Sequence, residues 1–394
     1  MDRLTPALVL GSGVTALGVI RSFGRRGVPV LATARAPDVA ASSRWHRAAP
    51  PMEDSEELAE YLTRLPVEAA VLIPCSDGLA AQTAGLSGAL AERFPASVAR
   101  PETMRALLDK ERFACLVREA GVAHPRSFEI RSSGDLAAVP GDVWRSAFLK
   151  PRDSQSFFAR FGVKAFAVRS PEEAARRLRE IKDGGFEVIV QEYVPGPSSN
   201  HYFVDGFADR DGRLRAVLAR RRLRMFPPDF GNSTYMVTVR PEDAAGAVEG
   251  VRRLVEHTRY RGTFSAEFKR DERDGTFRIL EMNARPWWYV DFAARCGVDV
   301  CRMMYDDALG KEVPDVESYA VGQSLVYPYY DFFACRALLR EGRLGLVAWG
   351  RQWVTAVQPI WSWDDPMPGV RAVERWLRGW IGRRLLVSSG RGRE

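Results

Sequence analysis

The chain has 394 residues, of which 46% are hydrophobic and 27% are charged, so it can form sizeable folded cores. This length predicts two to three domains. The 57 Lys and Arg residues against 50 Asp and Glu residues give a net charge of +7. Because acids are interleaved with the bases and no groove-reading motif occurs, we expect no nucleic-acid partner. No apolar run approaches the roughly 20 residues of a bilayer span, and no signal peptide is evident, so a cytoplasmic protein is predicted.

The cysteines and histidines are few and scattered. Five cysteines without CxxC or Cys/His ligand spacing predict neither a disulfide framework nor a structural zinc site. The basic residues comprise only six lysines against 51 arginines. A lysine kept in such a chain suggests a position that needs a compact, flexible ammonium group, although chance survival under a coding bias is the alternative.

The first hundred residues predict a Rossmann-like domain. Short apolar runs alternate with helical patterns over residues 7–10, 14–26, 28–33, 56–64 and 69–74. Gly11, Gly13 and Ala16, within the run Gly11-Ser12-Gly13-Val14-Thr15-Ala16-Leu17-Gly18, fit the G-x-G-x-x-(G/A) pattern between the first strand and the first helix. They indicate either a bound dinucleotide or close packing of strand and helix. Arg35, after the second strand, could accept the 2′-phosphate of NADP, so an NADP-dependent oxidoreductase is an alternative.

Residues 101–310 predict a mixed α+β region. It opens with one helix over 101–120 that carries Asp109 and Lys110. The strands and helices that follow are predicted over 147–149, 163–168, 171–182, 188–192, 202–206, 214–223 and 241–258. A hairpin of strands 263–269 and 276–281 turns at Asp274-Gly275.

The end of this hairpin predicts a metal site. Because side chains alternate along a strand, Glu281, Asn283 and Arg285 share one face. Folding of the hairpin brings Glu267 near Glu281, and two such carboxylates repel unless a cation lies between them. Hard oxygen donors of this kind suit Mg²⁺. An exposed polar strand face is the alternative.

Four motifs in this order carry a family resemblance: Asp109-Lys110, Phe148-Leu149-Lys150-Pro151, Val190-Gln191-Glu192-Tyr193-Val194-Pro195-Gly196, and the segment from Ile279 to Arg285. From about residue 7 to residue 310 the chain resembles the ATP-grasp superfamily, and most of all its carboxylate–amine ligase-like branch, which includes D-aspartate ligase-like proteins. The resemblance implies an α+β ATP-grasp fold with ATP between two β-sheets. It also implies a Rossmann-like pre-ATP-grasp domain (1–100), the central and C-terminal ATP-grasp subdomains (101–310), and a helical, Trp-rich C-terminal extension (311–394).

The resemblance also implies a role for each matching residue. The residues that it assigns to the phosphates of ATP are Lys110, Lys150 and Lys164. Those assigned to the adenine, mainly through their backbone, are Gln191, Glu192, Tyr193 and Val194. Those assigned to Mg²⁺ or Mn²⁺ are Glu267, Glu281 and Asn283. Arg285 matches the arginine that stabilises the charge of the developing acyl phosphate.

A row of arginines forms a second candidate site. Strand alternation puts Arg220, Arg222 and Arg224 on one face, a concentration of charge that calls for an anion. We expect Arg222 and Arg224 to orient a carboxylate substrate. A solvated face on an edge strand is the alternative.

The C-terminal extension combines tryptophans with basic residues. Trp349, Trp353, Trp361 and Trp363 precede a helix over 370–385 that has an apolar face flanked by arginines. Packing against the rest of the protein or against a homodimer partner is expected, with peripheral contact to an anionic membrane surface as the alternative.

These patterns predict an ATP- and Mg²⁺-dependent ligase that activates a carboxylate as an acyl phosphate and couples it to an amine. Its partners would be a small-molecule carboxylate and an amine. Besides the oxidoreductase, a non-catalytic nucleotide-binding or membrane-peripheral protein is the alternative, because the loop over 152–162 holds only Gly162 and no acid follows the adenine segment to hold the ribose.

Overall fold

A computed structural model of the protein describes residues 4–389, apart from residues 54, 152–153, 164, 228–230, 341 and 343. The first part of the chain is a small parallel sheet covered by helices. Its elements are β1 (Ala7–Leu10), α1 (Gly13–Arg25), β2 (Val30–Ala32), α2 (Leu58–Arg64), β3 (Val71–Pro74), α3 (Asp77–Ala84) and α4 (Gly88–Arg93). The strand order is β2-β1-β3, all parallel. The fully buried β1 and β3 explain why the sequence shows continuous apolar runs there.

Two helices follow where one was predicted: α5 (Pro101–Leu108) and α6 (Lys110–Glu119). The prediction of one helix over 101–120 is wrong because Asp109 adopts an extended backbone conformation, with ψ of 121°. Its carboxylate accepts hydrogen bonds from the amides of Glu111 and Arg112 and so caps the second helix. Lys110 therefore opens a new helix.

A four-stranded antiparallel sheet comes next. Its elements are β4 (Ser127–Ile130), β5 (Ala147–Pro151), α7 (Ser154–Phe161), β6 (Phe166–Val168), α8 (Pro171–Asp183) and β7 (Val188–Glu192). The strand order is β4-β7-β5-β6. A separate apolar core, with Leu149, Phe157 and Val190 fully buried, joins this sheet to α7 and α8. We call it the small sheet.

A six-stranded antiparallel sheet, the large sheet, forms the centre of the molecule. Its strands are β8 (His201–Ala208), β9 (Leu214–Phe226), β10 (Asn232–Thr238), β11 (Gly262–Arg270), β12 (Phe277–Asn283) and β13 (Ser324–Val326). The order is β12-β11-β8-β9-β10-β13. The accompanying helices are α9 (Ala245–Thr258), α10 (Val290–Arg295) and α11 (Val300–Ala308). One core cluster spans Val9 of β1, Phe207 of β8 and Tyr305 of α11, so the parallel sheet packs against this part of the chain.

The last segment consists of helices α12 (Pro328–Arg340), α13 (Leu346–Thr355) and α14 (Met367–Ser389). It docks on α1 through a buried ion pair. Arg21 and Asp365 are both fully buried, with Nε and Oδ2 3.0 Å apart. The Arg21 guanidinium also donates to the carbonyls of Pro359 at 2.9 Å and Ile360 at 2.8 Å. Among the described residues, no helix is both long enough and apolar enough to cross a bilayer.

Candidate active site

The predicted metal ligands lie together at one end of the β11–β12 hairpin. Glu267 of β11 is the register partner of Glu281 of β12. Asn283 donates through its Nδ2 to Oε1 of Glu281 at 3.2 Å. Glu281 is exposed, whereas Glu267 and Asn283 are half-buried. The hairpin therefore presents two carboxylates and one amide group side by side.

Glu267 has two further partners. Nη2 of Arg222 lies 3.0 Å from its Oε1, and Nδ1 of His201 lies 2.7 Å from the same oxygen. Burial raises the pKa of Glu267, but Arg222 and His201 outweigh it and hold the pKa below its ordinary value. Burial also lowers the pKa of His201, so the ring is neutral at pH 7 and donates from Nδ1 to the carboxylate. Sequence reasoning missed His201, because nothing in a lone histidine marks it as a neighbour of a glutamate 66 residues away.

Lys150 brings the small sheet to the same place. It lies on β5, is half-buried, and donates through Nζ to Oε1 of Gln191 at 3.3 Å. Burial lowers its pKa, while the charges of Glu281 and Glu267 raise it, and the net pKa is below the ordinary value. The ammonium group of the small sheet thus interacts electrostatically with both carboxylates of the large sheet.

Lys110 contacts the chain next to Lys150. As the first residue of α6, it donates a hydrogen bond from Nζ to the carbonyl of Pro151, the residue that follows Lys150. The Lys110 side chain is therefore held at the end of β5, the strand that carries Lys150. Lys164, the third lysine predicted to contact phosphates, lies outside the described residues.

The predicted adenine segment begins at the end of β7. Gln191 supports Lys150 and donates from Nε2 to Ser127 at 3.0 Å. The carboxylate of Glu192 is held by Arg126 at 3.0 Å and Arg273 at 2.6 Å. With its side chain held in this way, only the backbone of Glu192 can serve a ligand while these ion pairs last.

The rest of the adenine segment borders the large sheet. Val194 is buried, and the Tyr193 ring lies 4.0 Å from Nζ of Lys269, a buried lysine on β11. Sequence reasoning assigned no role to Lys269. Its position two residues after Glu267 on the same strand is the signal that could have linked it to this site.

The row of arginines lies inside the sheet. Arg220, Arg222 and Arg224 are all at least 92% buried on β9, which is an interior strand. The alternative of a solvated edge-strand face is therefore wrong. Each guanidinium pairs with a carboxylate of the protein, and the three acids are Asp205, Glu267 and Asp331. The anions expected beside these arginines are therefore carboxylates of the chain itself.

Arg224 is held especially firmly. Its Nε and Nη2 lie 2.8 and 2.9 Å from the two oxygens of Asp331, and Nη1 lies 2.7 Å from Gln352. Both partners belong to the C-terminal helices, which explains why strand patterns alone did not reveal them.

Arg285 reaches toward the parallel sheet. Its Nε lies 2.7 Å from Oδ1 of Asp77, at the start of α3, and its Nη2 lies 3.2 Å from Oδ1 of Asn283. The guanidinium is thereby fixed beside the predicted metal ligands. Asp77 was missed in the sequence, although its place directly after the end of β3 is typical of functional residues in parallel sheets.

The fold that carries these residues is similar to that of known proteins. No family model matches the chain. A D-aspartate ligase from Enterococcus faecium (strain Aus0004) is 25% identical over 340 residues, which cover 80% of each chain. The structure of an L-amino acid ligase from Bacillus licheniformis matches with a TM-score of 0.60 at 14% identity, covering 78% of this chain and 75% of that one. The biotin carboxylase domain of a Hydrogenobacter thermophilus 2-oxoglutarate carboxylase, solved with MgADP, ADP and bicarbonate, matches with a TM-score of 0.63 at 15% identity, covering 82% and 74%.

The chain has the ATP-grasp fold. The predicted resemblance and the predicted α+β class are confirmed. The domain boundaries at residues 100 and 310, and the roles assigned to individual residues, stay predictions. Residues 324–326, which fall in the predicted extension, supply the edge strand β13 of the large sheet.

The glycine-rich turn after β1 is occupied by other side chains of the protein. The Gly13 amide donates to Asp38, with 3.0 and 2.9 Å to the two carboxylate oxygens, and the Gly11 amide donates to Thr33 Oγ1 at 2.9 Å. Arg35 donates to the carbonyl of Ala49 at 2.6 Å. A dinucleotide phosphate would have to displace a carboxylate from this turn, so the oxidoreductase alternative is not favoured.

The donor set at the hairpin fits Mg²⁺. This ion is usually bound by one or two carboxylates, completed by waters and substrate phosphates. Glu267, Glu281 and Asn283 supply such oxygens on one face of the large sheet. Within the described part of the chain, no group of three or more His, Cys, Asp or Glu side chains is arranged to hold a metal ion.

Proposed function

We propose that the chain is an ATP- and Mg²⁺-dependent ligase that joins a carboxylate to an amine and releases ADP and phosphate. The observation that carries the proposal is the pairing of Glu267 with Glu281 beside Asn283, where the charges of both acids act on Lys150 of the opposite sheet. The relatives support it, since one is a D-aspartate ligase and another is an L-amino acid ligase. MgADP in the biotin carboxylase structure supports the choice of nucleotide and metal, with Mn²⁺ as a substitute. The proposal places the enzyme in the cytoplasm, where ATP is available.

The reaction has two steps. A carboxylate oxygen attacks the γ-phosphorus of ATP, the bond from that phosphorus to the bridging oxygen breaks, and ADP leaves with the electron pair. The amine nitrogen then attacks the acyl carbon, loses a proton, and displaces phosphate. Phosphorylation is needed because a free carboxylate is a poor electrophile.

The side chains of the site hold and neutralise the reacting groups. Lys150 and Lys110 bind phosphate oxygens as point charges, which tolerate the changing geometry of transfer. Bound Mg²⁺ would shield the phosphate charge, and Glu267, Glu281 and Asn283 would hold it. Arg285, fixed by Asp77, stabilises the charge of the acyl phosphate.

The roles of Arg222 and Arg224 in orienting the carboxylate stay predictions. Arg222 contacts the proposed metal ligand Glu267, which favours a place beside the reaction. All three nitrogens of Arg224 contact Asp331 or Gln352, which favours a role in holding the C-terminal helices on the sheet.

The test is a mass-spectrometric screen of carboxylate and amine pairs with ATP, with ADP release measured alongside. We expect release that needs both substrates, stops with EDTA, and disappears in Glu281→Ala. Glu272→Ala is the matched control and should retain activity, because Glu272 is an exposed acid in the turn between β11 and β12. A folded protein that releases no ADP with any pair, or that NADPH stabilises against heat while ATP–Mg²⁺ does not, would refute the proposal.

Lys150→Arg provides a sharper test of the site. It keeps the charge, but the planar guanidinium cannot replace a compact ammonium in the half-buried place beside Gln191. We expect weaker ATP binding by calorimetry and slower turnover. Lys182→Arg, at an exposed position of α8, controls for the substitution itself. Full activity of Lys150→Arg would mean that the scarcity of lysine carries no information.

A further inference from the structure

The C-terminal helices enclose an apolar cavity of about 690 Å³. Its wall consists mainly of aromatic and aliphatic side chains from the three C-terminal helices and the segment between α13 and α14, among them Phe332, Phe333, Trp353, Trp361, Val373 and Trp376. Several of these remain open to solvent: Phe332 and Trp376 are each 49% exposed, and Val373 is 55% exposed. Cavities of this size with apolar walls are typical of small-molecule sites.

This cavity adjoins a second, polar cavity of about 950 Å³ beside the parallel sheet. Tyr327, Ile360 and Ala372 line both cavities. The polar cavity is also lined by Ser76 and Gly78, the two neighbours of Asp77.

The polar cavity lies near the proposed active site, because Asp77, which stands between two of its lining residues in the chain, is the partner of Arg285. A second link runs through Trp288, three residues after Arg285, whose ring lies 5.7 Å from the ring of Tyr327. The apolar cavity, which we call the aromatic pocket, therefore lies next to a polar cavity that is lined by the chain neighbours of Asp77.

We propose that one of the two substrates carries a bulky apolar group, such as an alkyl chain or an aromatic ring system, and that this group occupies the aromatic pocket. The inference rests on the proposed function. The reacting carboxylate or amine of that substrate lies toward Arg285 and Asp77, while its apolar part covers the rings that solvent now reaches. The three lining residues that the two cavities share favour a substrate group as the occupant, because a ligand in the aromatic pocket lies next to the polar cavity that is lined by the neighbours of Asp77.

Binding of two homologous series to the full chain tests the proposal. Straight-chain carboxylates from acetate to decanoate and primary amines from ethylamine to decylamine are titrated below their critical micelle concentrations, and the fluorescence of the pocket tryptophans is followed. In one of the series we expect the affinity to rise by about fourfold per methylene group until the pocket is full. Affinities independent of chain length in both series would overturn the proposal.

Two substitutions locate the binding. Ala372→Phe narrows the junction of the two cavities and should weaken binding of the longest probes at least tenfold, while short probes are unaffected. Val347→Phe, on α13 at a position that is 87% exposed and outside both cavity linings, is the matched control. Phe332→Ala enlarges the pocket and should shift the optimum to longer chains, which keeps the test valid if Ala372→Phe does not fold. Equal effects of Ala372→Phe and Val347→Phe would overturn the assignment.

The binding assay contains no nucleotide, so failure of the ligase proposal is visible separately as missing ADP release. Sedimentation velocity and co-sedimentation with phosphatidylglycerol vesicles distinguish other occupants. If Trp376→Glu abolishes a dimer or vesicle binding, and neither probe series depends on chain length, the face is an interface or a membrane contact and the substrate proposal is wrong.

Discussion

Removing the carboxylate of Asp365 should destabilise the docking of the C-terminal helices on α1. The side chain is fully buried against Arg21, which is also fully buried and which donates to two further carbonyls of the C-terminal segment. Burial lowers the pKa of Arg21, and the hydrogen bond and charge of Asp365 counteract that effect. In Asp365→Ala the guanidinium stays in place without its counter-charge. Breaking a buried pair from one side costs about 3–5 kcal/mol, so we expect a loss of that size in the free energy of unfolding.

The neighbouring residue supplies the control. Asp364 pairs with Arg25, but its side chain is 43% exposed, so solvent screens the pair. We expect Asp364→Ala to cost about 1 kcal/mol or less. Urea unfolding followed by tryptophan fluorescence measures both variants, because tryptophans such as Trp353 and Trp361 lie in the segment that would detach.

A double substitution separates charge from packing. Arg21→Met combined with Asp365→Leu removes both charges and should recover part of the loss of Asp365→Ala. Recovery stays incomplete because the carbonyls of Pro359 and Ile360 lose their donor. Equal losses in Asp364→Ala and Asp365→Ala would refute the reasoning, as would a cost below 1 kcal/mol for Asp365→Ala.

Further predictions concern the Arg224 ion pair and the position of Arg285. Burial raises the pKa of Asp331, but Arg224 outweighs this effect, so the net pKa is lowered. The ion pair therefore stabilises the fold at neutral pH. This stabilisation is lost as the pH falls through the lowered pKa, which lies below the ordinary Asp value of about 3.9. The difference in unfolding free energy between wild type and Asp331→Asn should therefore shrink between pH 7 and pH 3, and a constant difference would contradict the ionic contribution. Asp77→Ala frees Arg285 and should lower kcat by up to about a hundredfold, with little change in the KM for ATP. A change confined to the KM for ATP would argue against Asp77 as a positioning residue for Arg285.

Local patterns were sufficient for most of the fold. The parallel sheet follows from buried apolar runs, and the hairpin of β11 and β12 follows from alternation around a glycine at φ +73°. The break at Asp109 was missed because a helix-compatible apolar period continues across it. There the capping by the Asp109 carboxylate outweighs the periodic pattern.

The site could be predicted only where its residues share a strand or a motif. Glu267, Glu281 and Asn283 were identifiable because strand pairing brings them together. The partners Asp77 and Asp331 lie 208 residues from Arg285 and 107 from Arg224, and only the tertiary fold brings them into contact. The sequence showed a concentration of positive charge on β9, but not that the chain neutralises it from within.

The strand β13 has a practical consequence for shortened versions of this protein. It covers the outer edge of β10, where Tyr235, Met236 and Val237 pair with Val326, Leu325 and Ser324. A version that ends at residue 310 would leave those backbone amides and carbonyls open, and such an edge readily adds strands from other copies. Expression of residues 1–310 alone would therefore favour aggregation, and a soluble fragment should extend at least through β13.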